Sequence, residues 1–225
     1  MIVVTGATRG LGRAICERIL SRGETVVGLG RTENLSNFHL IKCDVSNYSS
    51  VRQAVKEIKK LGEPVKAVIN AAGVASMNMA LTTNESTVRK LIETNLMGVI
   101  FCCQLFAPIL LRQKSGCFIN FSTIAVSLAL KGESVYAASK AGVETFSRTF
   151  AREVADFNVR VNCIAPGPVP TDLLRGISEA QIKKITDTQI FQRQFKKSEV
   201  CDLVELLLDS KAYSLSGQVF HVGGV

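Results

Sequence analysis

The chain opens "MIVVTGATRGLG" (residues 1–12), an apolar run that passes directly into a turn carrying Gly6, Gly10 and Gly12. The glycine spacing is G-x-x-x-G-x-G. That is neither the common dinucleotide pattern G-x-G-x-x-G nor a P-loop, which needs Lys and then Ser or Thr after its last glycine. Context decides the reading. The run looks like a strand, and Leu11, Ile15 and Ile19 then recur every fourth residue, the period of a buried helical face. A strand–turn–helix is the setting in which free backbone N–H groups and the positive end of a helix hold a phosphate. Gly6 permits the tight turn, while Gly10 and Gly12 let backbone approach a pyrophosphate and let helix pack on strand. Thr8, Arg9 and Leu11 complete the expected cradle.

Working outward, short β-rich runs alternate with helical patterns. Strands are expected near 1–5, 25–29, 39–43, 66–70, 116–121, 160–165 and 218–222. Val51, Val55 and Ile58 repeat at helical spacing, and longer helices are expected over 86–111 and 136–155, with a shorter one at 199–208. Strands that are apolar throughout and separated by helices imply a parallel sheet covered on both faces. The expected fold is therefore α/β: a Rossmann-like, doubly wound, seven-stranded and mostly parallel sheet, with ligands at the carboxyl ends of its strands. A length of 225 residues suits one domain, 1–225. The segment 171–197, which follows "PGPVPT" and is polar, shows no clear element and is expected to be a substrate lid.

Composition removes several function classes. Met1 runs straight into a strand-like segment, so no secretory leader is expected. The most lipid-like stretch, "GVIFCCQLFAPILL" (98–111), is short and is interrupted by Gln104 and Pro108. A membrane span needs about 20 mostly apolar residues, so a buried helix and no membrane are expected. The cysteines number seven, and Cys16, Cys102, Cys103 and Cys163 lie in apolar surroundings, as small core residues of a reducing, cytoplasmic compartment. No C-x-x-C pair or Cys/His cluster suggests a metal, and His39 and His221 are isolated. The formal charge is +8, but the basic residues are dispersed and no nucleic-acid motif accompanies them. A solvated surface explains that charge, and so does an acidic ligand such as a phosphorylated cofactor or an acidic carrier protein.

The second strand bears on which dinucleotide is bound. NAD-binding sheets usually carry Asp or Glu at its end, to hold the ribose 2′-OH. Here the segment reads "VVGLGRT", with Gly30 at the expected acidic position and Arg31 after it, and Arg9 can approach the same corner. Two guanidiniums and no carboxylate favour the 2′-phosphate, hence NADP(H) over NAD(H).

"SVYAASKAG" (134–142) places Tyr136 and Lys140 four residues apart, on one face of a helix. A neighbouring ammonium stabilises phenolate, so Lys140 is expected to lower the Tyr136 pKa and fit it for proton transfer to or from a substrate oxygen. With these residues the chain resembles the classical short-chain dehydrogenase/reductase family over nearly its whole length, and within it most resembles 3-oxoacyl-[acyl-carrier-protein] reductases. "TGATRGLG" resembles the family's TGxxxGxG turn. "CDV" (43–45) is similar to its Asp-Val after the third strand, where Asp44 and Val45 would border the adenine. "NAAG" (Asn70, Ala71, Ala72, Gly73) is similar to its NNAG motif, and Asn95 in "ETNLMG" to its helix asparagine. "PGPVPT" is similar to PGxxxT, placing Pro166, Gly167, Val169 and Thr171 at the nicotinamide end.

The resemblance implies hydride transfer between nicotinamide and a carbonyl or secondary alcohol. Tyr136 and Lys140 would carry the proton chemistry and also touch the cofactor, and Asn95 would hold a water chain that reprotonates Tyr136 by way of Lys140. The family also places a substrate-binding serine ahead of the tyrosine. Its usual spacing falls on Thr123 here, with Ser122 just before it, and Thr123 is the preferred reading. Two departures follow. The stretch from Arg31 to Asp44 is shorter than the family's, so the helix between the second and third strands is expected to be absent. The terminus "HVGGV" has Gly223 where an acidic residue is common. The family implies a homo-oligomer, a dimer or tetramer. Arg112, Lys114, Lys183, Lys184, Lys196 and Lys197 form the expected basic rim for an acidic acyl carrier protein. The competing reading from another class is a non-catalytic NADP(H)-binding sensor or scaffold, which the presence of Tyr136, Lys140 and Asn95 disfavours.

Overall fold

Seven short strands cross the interior side by side, each buried or half-buried except at the β3 edge. They are β1 (Ile2–Thr5), β2 (Val26–Gly30), β3 (His39–Lys42), β4 (Ala67–Asn70), β5 (Gly116–Phe121), β6 (Val159–Pro166) and β7 (Val219–Val222). The computed structural model describes residues 1–32, 36–174 and 177–225. Every pairing in the order β3-β2-β1-β4-β5-β6-β7 is parallel. Parallel neighbours need crossovers, and helices supply them: α1 (Gly10–Ser21), α2 (Tyr48–Lys60), α3 (Glu85–Ile92), α4 (Gly98–Gln113), α5 (Ala125–Leu128), α6 (Ser134–Val154), α7 (Glu179–Asp187) and α8 (Lys197–Leu208).

Side chains alternate across each strand, so consecutive apolar residues feed two cores. On one face Val3, Val27, Val68, Phe118 and Val161 meet Val55 and Ile58 of α2, Phe106 and Leu110 of α4, and Val143 and Phe150 of α6. On the other, Ile2, Val4, Ile69, Ile119 and Ile164 meet Ile15 and Ile19 of α1 and Val200, Val204 and Leu207 of α8. All seven cysteines are buried free thiols. The order reverses beside β1: the chain winds out through β2 and β3, then returns to place β4 on the other flank. That reversal opens a crevice at the carboxyl ends of β1 and β4.

Two expectations change and one holds. The stretch 86–111 is not one α-helix: α3 and α4 are joined by a π-helical turn, Glu93–Met97. The whole run, Glu85–Gln113, is long and apolar enough to cross a membrane by length and composition, yet Val99, Cys102, Cys103, Phe106 and Leu110 are packed into the core. The segment 171–197 is not without structure either. It holds a 3-10 turn (Asp172–Leu174) and α7, which starts on a capping box in which Ser178 accepts from the Gln181 N–H and Gln181 accepts from the Ser178 N–H. Between β2 and β3, the described residues contain no helix, as the short spacing implied.

Candidate active site

The glycine turn closes on itself through backbone contact. Gly6 has φ +69°, and a Cβ there would lie 2.8 Å from Ala72 Cα. A Cβ on Gly12 would overlap the Gly6 carbonyl group, 2.7 Å from its carbon, so only glycine lets α1 start this close to the end of β1. Thr5 Oγ1 then accepts the Ala72 N–H at 3.0 Å, locking the turn to the Ala71–Gly73 segment. The first turn of α1 has no side-chain cap and no acidic residue of its own, so among the described residues no capping side chain claims its N–H groups.

A cavity of about 630 Å³ runs from this turn to the start of α6. Gly6, Thr8, Arg9, Gly10, Leu11, Gly12, Arg31, Asp44, Val45, Ala71, Ala72, Gly73, Pro166, Gly167, Val169 and Thr171 all line it, together with Ser122, Thr123, Tyr136 and Lys140. Two expected members, Asn70 and Asn95, do not. Asn70 is 2% exposed, and its Nδ2 donates to Asn120 Oδ1 at 2.8 Å, because strand alternation turns this last residue of β4 into the interior. Asp44 Oδ1 accepts from the Ser46 N–H and hydroxyl, at 3.0 and 2.7 Å, which fixes the carboxylate at the cavity edge. At the end of β2, a Cβ on Gly30 would collide with Thr8 Cγ2, so Thr8 fills the space an acidic side chain would need. Arg9, expected to approach the Arg31 corner, has its guanidinium 3.7 Å from Asp172 Oδ2.

At the other end, β5 delivers two hydroxyls to different partners. Ser122 is buried and its Oγ donates to Glu144 Oε1 at 2.6 Å. Thr123 stands near enough to Tyr136 for its hydroxyl to act on the phenol, and its Oγ1 accepts the Ala125 N–H at 3.3 Å. Thr123, not Ser122, is thus the hydroxyl left to the phenol. Lys140 is buried and its Nζ donates to the Phe121 carbonyl at 2.7 Å; among the described residues this is its one acceptor, leaving two ammonium hydrogens. Gly73 borders both groups: a Cβ there would stand at ordinary contact distance, 3.5 Å from Lys140 Nζ and 3.4 Å from Asn95 Oδ1.

The electrostatics differ from the expectation. Burial pushes the Lys140 pKa down to about 8. Burial, and next the Glu133 carboxylate, push the Tyr136 phenol up, against a smaller opposing effect of the Thr123 hydroxyl. Loss of hydration sets the direction, and Lys140 is not among the groups that lower this pKa. Asn95 also departs from its expected place. It is fully buried and does not line the cavity, its Nδ2 donating to Val74 O at 2.9 Å and Ser139 Oγ at 3.1 Å, while its Oδ1 accepts the Val74 N–H. Both amide hydrogens are thus spent on holding the segment after Gly73 against α6.

Topology corrects one further expectation, and packing accounts for one departure. Arg112 and Lys114 precede β5, whose other end carries Thr123, so they sit at the sheet edge opposite the cavity and cannot share a rim with Lys183, Lys184, Lys196 and Lys197. Gly223 has φ +112°, and a Cβ there would strike Gln189 Oε1 at 2.5 Å, so the tail of the 171–197 segment occupies the room a side chain would fill. The sequence reading passed over Glu133, which also lines the cavity. Its signal was available: a carboxylate three residues before Tyr136, hence on the same helical face.

A doubly wound sheet with a phosphate-sized turn and a Tyr/Lys pair in one crevice defines a nucleotide-dependent oxidoreductase. Residues 1–182 match the short chain dehydrogenase family, and the chain belongs to it. It is 31% identical over 237 residues to a 3-oxoacyl-[acyl-carrier-protein] reductase of Staphylococcus aureus, covering 99% of this chain and 96% of that protein. The corresponding reductase of Staphylococcus epidermidis is 30% identical with the same coverage. Among solved structures, the aldohexose dehydrogenase of Thermoplasma acidophilum superposes with a TM-score of 0.90 at 28% identity, covering 99% of this chain and 92% of that one. The family uses a nicotinamide cofactor, and the residues present fit it: an uncapped helix N-terminus for the pyrophosphate, an open Asp44 edge for the base, and a buried ammonium with hydrogens to donate at the far end.

Proposed function

We propose that the protein is an NADP(H)-dependent carbonyl reductase, with 3-oxoacyl thioesters among its candidate substrates. The observation that carries this reading is the placement of the Thr123–Tyr136 pair and Lys140 in the same cavity as the glycine turn. When bound, the cofactor supplies the hydride. The chain supplies the rest. Thr123 donates a hydrogen bond to the substrate oxygen and orients the carbonyl against Tyr136. Tyr136 keeps its proton at neutral pH, because burial holds the phenol above its ordinary range, and so it stands ready as the acid that protonates the oxygen. Lys140, tied to the Phe121 carbonyl, directs its remaining hydrogens toward the ribose end. Its positive charge stabilises the phenolate left when Tyr136 gives its proton to the substrate oxygen, a proton that solvent then replaces. Asn95 acts as a positioning residue, fixing Val74 and Ser139 around Lys140.

Preference for the 2′-phosphate rests on Arg31 and on the absence of a carboxylate at Gly30, with Arg9 as the second cation. The bacterial relatives are 3-oxoacyl-[acyl-carrier-protein] reductases, and Lys183, Lys184, Lys196 and Lys197 on the cavity side of the sheet suit an acidic carrier. A single domain, with 171–197 as the lid over the substrate, completes the reading. Seven buried thiols fit a reducing cytoplasm. Partly buried Phe101, Leu105 and Ile109 on α4 and Phe146 on α6 suit a homo-oligomer. The test is titration with NADPH and NADH, followed by nicotinamide fluorescence, in wild type and Arg31→Ala. NADPH should bind more tightly, and the variant should lose about tenfold or more of that preference. A wild-type preference for NADH overturns the assignment to Arg31, and binding of neither nucleotide overturns the enzyme reading in favour of a scaffold.

A further inference from the structure

Glu133 stands immediately before α6, three residues ahead of Tyr136, and its carboxylate is near enough to act on the phenol. A carboxylate at the start of a helix ordinarily turns back to accept the first N–H groups. This one makes no such bond. The residue is 8% exposed and lines the cavity that Tyr136 and Thr123 also line. Among the described residues, its side chain has neither a hydrogen-bond donor nor a cation within salt-bridge distance; Lys140, on the same helix, is turned to the Phe121 carbonyl. Ile124, Leu130, Leu174, Ile177 and Ile185 are among the other residues that line this cavity.

A carboxylate can only accept. The Glu133 oxygens open into the cavity, and no donor of the described residues claims them. A donor carried by a ligand in the cavity can meet them there. We propose that Glu133 is a specificity residue, accepting a hydrogen bond from a hydroxyl that the substrate carries within two carbons of the reacting carbonyl. The site then takes hydroxy ketones, and returns diols, in preference to compounds that offer only carbonyl oxygens there. This rests on the carbonyl-reductase reading and narrows it: a 3-oxoacyl thioester presents acceptors on both sides of the reacting region and meets the carboxylate acceptor against acceptor. The raised carboxyl pKa, caused by burial, agrees with a group short of solvent and of cations.

The experiment compares kcat and KM for 3-hydroxy-2-butanone and 4-hydroxy-2-butanone with those for 2,3-butanedione and an acetoacetyl thioester, in wild type, Glu133→Gln and Glu133→Ala. Calorimetric binding of 2,3-butanediol provides a readout without turnover. In Glu133→Gln the kcat/KM ratio of hydroxy ketone to dicarbonyl should fall about tenfold, mostly through KM, because a charge-assisted bond is exchanged for a neutral one and a carbonyl gains a donor. The diol should bind more weakly by a similar factor. Equal losses for all four substrates, or an unchanged ratio, would mean that Glu133 only supports the helix start and would overturn the proposal. If wild type binds NADPH but reduces none of the four, the carbonyl-reductase reading fails first and this inference falls with it.

Discussion

The inner wall of the cavity, from the glycine turn across β4 and β5 to α6, is closed by backbone against backbone and by buried side chains with named partners. Gly12 abuts the Gly6 carbonyl, Thr5 holds Ala72, Asn95 holds Val74, and Lys140 holds Phe121. The outer wall, residues 171–197, is attached differently. Its tail docks through the Phe195 N–H on Pro168 O and the Phe191 N–H on Gly223 O, at 3.0 and 3.1 Å; each wall holds one buried side-chain oxygen without a donor among the described residues, Gln189 Oε1 here and Asn70 Oδ1 in the inner wall. Its front approaches the inner wall through the Arg9–Asp172 pair, which is largely exposed. The half proposed to fix the nucleotide and the proton chemistry thus faces the half proposed as a lid, which is tied to it by fewer contacts. The difference teaches where substitutions should be costly and where they should be nearly silent.

The largest effect is expected at Lys140, the one lysine sealed inside the inner wall. Its native pKa of about 8 lies below the ordinary 10.5, so below pH 8 the fold carries a buried ammonium that the unfolded chain solvates freely. Between those two values the unfolded state binds more protons, and stability from this group rises with pH. The gap in unfolding free energy between Lys140→Met and wild type should therefore narrow, in favour of wild type, by roughly 3 kcal/mol from pH 7 to 10.5. The buried thiols act in the opposite sense: raised above 9 in the fold, they hold protons that the unfolded chain releases, and they cost stability as pH rises. Both proteins carry all seven, so the difference between them isolates the lysine. Chemical denaturation across that range under reducing conditions checks it, and a gap independent of pH would mean that Lys140 is solvated in the fold.

The same contrast explains what could be read from the sequence. The five inner strands were legible because buried parallel strands are apolar on both faces, as in "MIVV" and "CFINF", while the edge strands β3 and β7 carry a weaker signal. The glycine turn was legible because its backbone contacts allow no side chain. Helix α7 was harder: Ile182 and Ile185 as its only apolar marks give a weak period, although "SEAQ" (178–181) carries the capping box that starts it. The pKa of Tyr136 was beyond reach, since the spacing to Lys140 fixes a shared face and says nothing of how deeply that face is buried. Asn70 and Asn95 show a related limit. Each belongs to a motif of the site, but the interior groups that claim their amides, Asn120, Val74 and Ser139, lie between 21 and 50 residues away along the chain.

A second test of the inner wall is Gly12→Ala. The new methyl would overlap a carbonyl group of the same turn, with backbone on both sides and no flexible side chain to yield. Overpacking of this kind costs about 1–3 kcal/mol. Relief requires α1 to move away from β1, which misplaces the N–H groups expected to hold the pyrophosphate. NADPH binding should therefore weaken by more than the loss of stability alone accounts for. Thermal unfolding paired with fluorescence titration separates the two. A variant that melts earlier but binds NADPH as tightly as wild type would show that the turn is a packing device only.

The smallest effect belongs to the outer wall. Asp172→Ala removes an ion pair between side chains 63% and 37% exposed, and exposed pairs of this kind contribute about 0.2–1 kcal/mol. Unfolding should change within that range. The guanidinium released from Asp172 becomes available to a phosphate, so NADPH should bind more tightly by up to about fivefold, the same free energy expressed as an affinity. Added salt screens exposed charges and should erase the gain. A loss well above the range of an exposed pair, about 2 kcal/mol or more, would place Asp172 with the inner wall and make the two halves of the cavity equally rigid. Tighter binding that vanishes in high salt, with an unchanged melt, would locate the mobile edge of the cavity at this contact and make nucleotide entry compete with closure of the 171–197 segment.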